Sequence, residues 1–102
     1  MLRTARQRNV LCKECPVARV ADLVGDSCSL LILRDLLKSP RRFGELQESL
    51  RGISSRTLTN KPKLLENKAL VQKKESKYVL TRKGSALHGV VEEMRKYGKK
   101  YL

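Results

Sequence analysis

Few side chains in this chain are equipped for specialised chemistry: three cysteines, one histidine, and one short run of hydroxyl, guanidinium and amide groups. Cys12 and Cys15 flank Lys13 and Glu14 in a CxxC spacing. Such a pair supplies half the ligands of a tetrahedral zinc site. No second pair follows, and Cys28 and the sole histidine, His88, stand apart. No metal is expected, and no cofactor. No histidine accompanies a serine or cysteine in a nucleophile motif, no glycine-rich loop could cradle a phosphate, and Glu92-Glu93 read as ordinary exposed helix acids. The residues argue against an enzyme. Two chemistries remain: that of thiols, and recognition by Ser54-Ser55-Arg56-Thr57-Leu58-Thr59-Asn60. The donors, acceptors and methyl groups of that run are the types that match base edges and phosphates.

Charge narrows the partner. The chain has 102 residues with 23 Lys+Arg and 10 Asp+Glu, a net charge of +13. Residues 52–102 carry +9 of it and residues 1–51 only +4. Between residues 53 and 83, nine cations (Arg56, Lys61, Lys63, Lys68, Lys73, Lys74, Lys77, Arg82 and Lys83) are set against Glu66 and Glu75. A surplus of this size attracts polyanions, nucleic acid first. The length suits one domain with a modest core. No apolar run approaches the ~20 residues of a membrane span, and the basic segment Met1–Arg8 is not followed by an apolar signal region. A membrane partner is not expected. The expected compartment is the reducing cytoplasm, where an odd set of cysteines stays free of structural disulfides.

The elements that would carry the chemistry follow from periodicity. Pro16 to Val24 reads as a helix: proline suits its first turn, Val17, Val20, Ala21 and Val24 share a face, and Gly25 stops it. Asp26 or Ser27 caps a second helix, Cys28 to Lys38, apolar nearly all round and so central, which Ser39-Pro40 ends. Phe43 to Leu50 forms a short third helix behind Arg41 and Arg42. Gly52 breaks the pattern, and Ser54 caps a fourth helix, with Ile53 and Leu58 at hydrophobic-staple spacing and Leu58, Pro62 and Leu65 inward. From Leu70 the period becomes two: Leu70–Glu75 and Lys77–Thr81 form a hairpin about Glu75-Ser76, a turn without the favoured Asn-Gly chemistry. Thr81 then caps the last helix. Leu87, Val90, Met94, Tyr97 and Tyr101 step along it by 3, 4, 3 and 4, a heptad-like seam that also takes in Val91. The seam can pack on its own domain or on a partner subunit, and its length favours the partner.

The expected fold class is mainly α with a small β-hairpin: a helix-turn-helix followed by a wing. Five segments sharpen this. Cys15-Pro16-Val17, Leu31-Ile-Leu-Arg34-Asp-Leu-Leu37, Pro40-Arg-Arg-Phe-Gly-Glu-Leu46, Gly52-Ile-Ser-Ser-Arg-Thr-Leu-Thr59 and Leu80-Thr-Arg-Lys-Gly84 occur in order. Together they resemble the HxlR family of winged helix-turn-helix transcription regulators, relatives of the MarR type, over roughly residues 12–102. The resemblance implies a homodimer built by the N-terminal segment and the last helix, with the fourth helix in the major groove. On this reading residues 1–14 are a basic extension or dimer arm. Residues 15–102 are the winged domain, ending in a dimerisation helix over about 82–102. Three departures stand out: Cys28 replaces the family's usual tryptophan, the wing is short, and Pro62 sits where a core leucine is usual. A mid-helix proline loses a hydrogen bond and clashes with the carbonyl four residues back, here Leu58, so a kink or break is expected near Asn60–Pro62.

Each candidate residue has a role on this reading. Arg41, Arg42, Lys63, Lys73, Lys74 and Lys77 are candidates for phosphate contact. Ser54 caps the reading helix, and Ser55 and Thr57 can bond phosphate or its waters at the helix N-terminus. Arg56 can read guanine, Asn60 adenine, and Thr59 a thymine methyl. Leu87, Val90, Val91, Met94, Tyr97 and Tyr101 form the dimer interface, and two reading heads imply a palindromic or pseudo-palindromic operator on double-stranded DNA. In parts of the family the cysteine before this proline senses oxidants or electrophiles. Cys15 matches it at a helix entrance, where the dipole favours a thiolate that could pair with Cys12 or cross-link subunits. A small-molecule or oxidant effector of unidentified chemistry fits that reading, and an inert thiol is its alternative. The alternative to a DNA regulator is a basic winged-helix RNA-binding or protein-interaction module, although one Phe, three Tyr and no Trp leave little stacking surface for RNA.

Overall fold

A computed structural model describes residues 15–102. In chain order the elements are α1 (Pro16–Val24), α2 (Ser27–Lys38), β1 (Arg41–Arg42), α3 (Phe43–Ser49), α4 (Ser55–Asn67), β2 (Val71–Lys74), β3 (Lys77–Leu80), α5 (Arg82–Ser85) and α6 (His88–Tyr101). Caps set most boundaries. Gly25 closes α1 with φ +69. Asp26 opens α2, its carboxylate accepting from Ser29 N–H at 2.8 Å. Glu45 reaches back to the Arg42 N–H at 2.9 Å to open α3. The Ser54 hydroxyl accepts the Thr57 N–H at 3.2 Å to open α4.

α2 is the centre of the core, as its apolar circumference implied. Ile32 and Leu33 are fully buried, Cys28 and Leu36 nearly so, and Leu46, Leu50, Leu58, Leu65, Leu70, Val71 and Tyr78 surround them. Burial raises the Cys28 thiol above its ordinary range, with the Asp26 charge adding to the effect. Cys28 thus serves as a small apolar core group.

The wing differs from the expected hairpin by one strand. β1 pairs antiparallel with β3, giving a three-stranded sheet in the order β1-β3-β2. The residue before a proline is pushed to extended backbone, and Pro40 continues that course into Arg41-Arg42. Two residues carry too little periodicity to be read as a strand, and only the nearby edge of β3 makes them one. The hairpin register runs from Val71↔Leu80 to Lys74↔Lys77, so Glu75-Ser76 is a two-residue turn. Both turn residues take left-handed backbone, φ +49 and +70. That conformation matches strand twist but disfavours side chains.

Pro62 does not break α4, contrary to expectation: the helix is continuous from Ser55 to Asn67. The Pro62 ring is fully buried in the core beside Leu58 and Leu65. Its burial and the helical turns on both sides offset the lost hydrogen bond. The last helix, by contrast, is divided. Thr81 caps only α5, accepting from Gly84 N–H at 3.1 Å, and α6 starts afresh at His88 after a turn at Ala86-Leu87.

The start of α5 is tied to the junction after α4. The Leu70 N–H bonds the Leu65 carbonyl and the Ala69 N–H the Glu66 carbonyl, both at 3.0 Å, a Schellman closure with Ala69 left-handed at φ +61. The Thr81 N–H donates to the Leu70 carbonyl at 3.0 Å, and its hydroxyl to the Ala69 carbonyl at 2.6 Å. α5 then lies so close that a Cβ on Gly84 would stand 2.2 Å from the Leu70 oxygen. Gly84→Ala is therefore expected to cost about 2–3 kcal/mol, the upper range for overpacking, read as a lower urea midpoint. Gly98→Ala, where a Cβ meets nothing within 4 Å, should cost nothing.

Candidate nucleic-acid interface

α4 divides cleanly. Leu58, Pro62 and Leu65 are buried. Arg56, Thr59, Asn60 and Lys63, at i, i+3, i+4 and i+7, form an exposed stripe on another side. The Ser54 O–H donates to Thr57 Oγ1 at 2.9 Å, which leaves the Thr57 hydroxyl proton uncommitted. The Thr59 hydroxyl donates to the Ser55 carbonyl at 2.6 Å. Arg56 and Lys63 have no ion pair among the described residues.

The sheet adds a second charged surface. Arg42 lies opposite Lys77, and Lys77 opposite Lys74, so three cations form one row across the three strands. Neighbouring strands are about 4.8 Å apart, and like charges directly opposite one another are destabilising. None of the three has a carboxylate partner among the described residues. The next row is Arg41, Tyr78 and Lys73, and it takes the other face because side chains alternate along a strand. Tyr78 is buried there, and the Lys73 ammonium lies 5.5 Å from the centre of its ring. Arg41 is half-buried, with Nε enclosed and unpartnered. The sheet thus separates Lys73 from Lys74 and Lys77, which the sequence had grouped together.

A basic helix face followed by a cationic wing is the layout of a winged helix-turn-helix, and comparison with known proteins agrees. The family model described as HxlR-like helix-turn-helix matches residues 23–102. The chain belongs to the HxlR family. A helix-turn-helix transcriptional regulator of Synechocystis sp., itself uncharacterised, is 34% identical over 95 residues, covering 86% of this chain and 70% of the relative. YodB, a helix-turn-helix transcriptional regulator of Bacillus subtilis, is 32% identical over 95 residues, covering 85% of each chain. The crystal structure of quinone-bound YodB has a TM-score of 0.76 at 33% identity, covering 85% of this chain and 100% of that one. Structures of YodB also exist in reduced and diamide-treated forms. A protein assigned to the MarR family in Porphyromonas gingivalis gives a TM-score of 0.81 at 30% identity, covering 87% and 94% of the two chains. This HxlR-family chain is a transcriptional regulator of the helix-turn-helix type.

Three further cations of this HxlR-type domain hold the scaffold rather than the surface. The Lys61 ammonium pairs with Asp26 Oδ2 at 2.5 Å, tying α4 to the start of α2. Lys68 caps α1, donating to the Leu23 carbonyl at 2.9 Å and the Asp22 carbonyl at 3.4 Å. Lys83 donates to the Lys68 carbonyl at 3.2 Å. Nothing in the sequence separated these lysines from the surface ones, because their partners are 15 to 46 residues away.

The seam also resolves into two sets. Leu87 and Val91 are buried within the chain. Val90, Met94, Tyr97 and Tyr101 are 40–62% exposed, with Tyr97 and Tyr101 stacked at 4.9 Å between ring centres. A groove of about 480 Å³ between α1 and α6 is walled by Val17, Val20, Val24, Leu87, Val90 and Met94. Cys15 is half-buried at the N-cap of α1, and its carbonyl accepts from Arg19 N–H at 3.1 Å. Cys12, its candidate partner, and the arm over 1–14 lie outside the described residues. Among the described residues no helix is long and apolar enough to cross a membrane, and no three His, Cys, Asp or Glu cluster as metal ligands.

The Asp26–Lys61 link makes stability depend on pH. Partial burial pushes the Asp26 carboxyl up, but the Lys61 ammonium and the Ser29 N–H outweigh it and hold the group below its ordinary value of 3.8. A folded value below the unfolded one means the stabilisation is present above pH 3.8 and disappears as pH falls through the folded value. Urea midpoints measured between pH 6 and about pH 2 should fall less steeply in Asp26→Asn, which keeps the cap and removes the titration.

Proposed function

We propose that this chain acts as a homodimer that binds a two-fold symmetric double-stranded DNA operator, with α4 in the major groove and the wing on the flanking backbone. The observation that carries this reading is the uncompensated row Arg42-Lys77-Lys74, together with the exposed polar stripe of α4. A fold that holds three like charges across adjacent strands gains from a polyanion spread over the same distance. Phosphate contact then falls to Arg42, Lys63, Lys74 and Lys77, with Lys73 and Arg41 as partial contributors. Ser55 and Thr57 lie at the helix N-terminus, where the dipole favours a phosphate. Arg56 and Asn60 have the hydrogen-bonding patterns for guanine and adenine.

The dimer reading rests on the exposed Val90, Met94, Tyr97 and Tyr101 and on the apolar groove beside them, with Leu87 and Val91 as its floor. A second copy would place its reading head about 34 Å away along the duplex, or a multiple of that. The thiol reading rests on Cys15 at the start of α1, on the edge of the same groove, and on the likeness to YodB, which has been solved with quinone bound. On this reading an oxidant or electrophile at Cys15 is the effector, and it acts by changing how two subunits meet.

Selection of duplexes from a random pool should return inverted repeats. If each protomer neutralises four phosphates, log affinity against log salt has a slope of about −7, and Lys77→Gln makes it shallower by about 2. A flat salt response or an asymmetric single site would refute the proposal. Alkylation of native protein followed by mass spectrometry should label Cys15 faster than free cysteine and leave buried Cys28 unlabelled, and an equal rate at Cys15 would reject the sensor.

A further inference from the structure

The α4 stripe contains a residue whose chemistry the hydrogen bonds decide. Thr59 is exposed between Arg56, one turn before it, and Asn60, its neighbour. Its hydroxyl has one proton, and that proton is spent on the Ser55 carbonyl at 2.6 Å. A threonine bonded to the carbonyl four residues back holds its oxygen against the helix. Its Cγ2 methyl is then the free end of the side chain. The Ser54 proton is likewise spent, on Thr57 Oγ1. Of the alcohols in this first turn and a half, Ser54 and Thr59 have spent their protons while Ser55 and Thr57 keep theirs, and of the two threonines Thr59 is the exposed one, Thr57 being half-buried.

We infer that Thr59 is a specificity-determining residue that selects thymine through its C5-methyl group, by apolar contact and not by a hydrogen bond. The inference rests on the proposed seating of α4 in the major groove. It also gives a spacing. Three residues of helix rise about 4.5 Å, and a base step rises about 3.4 Å. The selected thymine therefore lies one or two base pairs from the guanine read by Arg56. A thymine methyl offers only apolar surface, so burying it disfavours uracil at that position without any change in donors or acceptors.

The test uses the full chain and the duplex recovered by selection, with each thymine of the half-site replaced in turn by uracil. Uracil differs from thymine only by the missing methyl. The wild type should lose about fourfold in affinity at one thymine per half-site, the effect of one methyl removed from an apolar contact. Thr59→Val keeps the methyl and loses the hydroxyl, and should retain that uracil penalty. Thr59→Ser keeps the hydroxyl and its back-bond and loses the methyl, and should bind thymine and uracil duplexes equally. All three proteins should melt alike, because the residue is exposed. Equal binding of all uracil duplexes by the wild type overturns the inference, as does a penalty that persists in Thr59→Ser or vanishes in Thr59→Val. If selection returns no duplex, the proposed function fails and this inference with it. A duplex recovered with a steep salt response but no uracil penalty leaves the function standing and removes only the role of Thr59.

Discussion

The close approach of Gly84 to the Leu70 carbonyl is the contact on which the functional surface depends. Within six residues the chain finishes α4, reverses through left-handed Ala69 and starts the wing. Thr81, at the far end of the wing, returns to the same spot and bonds both Ala69 and Leu70. The missing Cβ at position 84 lets α5 seat against that backbone. The orientation of α4 relative to the hairpin is thus set by backbone hydrogen bonds and one steric vacancy, with little freedom left to side chains. Lys61 and Asp26 fix the other end of the relation by joining α4 to the central helix α2. On the proposed seating, a rigid link between α4 and the wing matters because both must meet the duplex in one pose.

Charge is distributed by the same scaffold. Lys61, Lys68 and Lys83 are held by a carboxylate or by carbonyls of the scaffold, and Lys73 lies over the Tyr78 ring. Arg42, Lys74 and Lys77 are left in a row with no internal compensation among the described residues, and Arg56 and Lys63 are exposed on α4. The fold tolerates their repulsion because water and salt screen it at the surface, and binding a polyanion would relieve it. A net charge of +13 states only that some anion is attracted, whereas the register of β1, β3 and β2 states where it would lie.

Legibility in the sequence followed the range of the forces involved. The helix starts at Pro16, Asp26 and Ser54, the Gly25 stop and the Glu75-Ser76 hairpin are local, and all were readable from neighbours in the chain. The inward triplet Leu58, Pro62 and Leu65 was readable from helical period alone. Pro62 misled because its cost is local while its compensation, burial in the shared core, is not. The pairing of Arg41-Arg42 with β3 was invisible for a similar reason: two residues have no periodicity, and the partner strand lies more than thirty residues away. The split between α5 and α6 was hidden because the Thr81 cap and the seam that starts at Leu87 are separate local signals, and neither marks the turn at Ala86-Leu87.

The sequence by itself determined the family, the order of elements, the location of the positive charge and the polar stripe of the reading helix. These depend on local propensity, capping and the period of apolar residues. Tertiary structure alone decided which cations are spent on the scaffold, which three form the row across the sheet, and which seam residues stay exposed. It also decided which part of Thr59 is free to meet a base. The reason is one of distance: capping and periodicity act over three or four residues, whereas ion pairs, strand register and burial join groups that only the folded chain brings together.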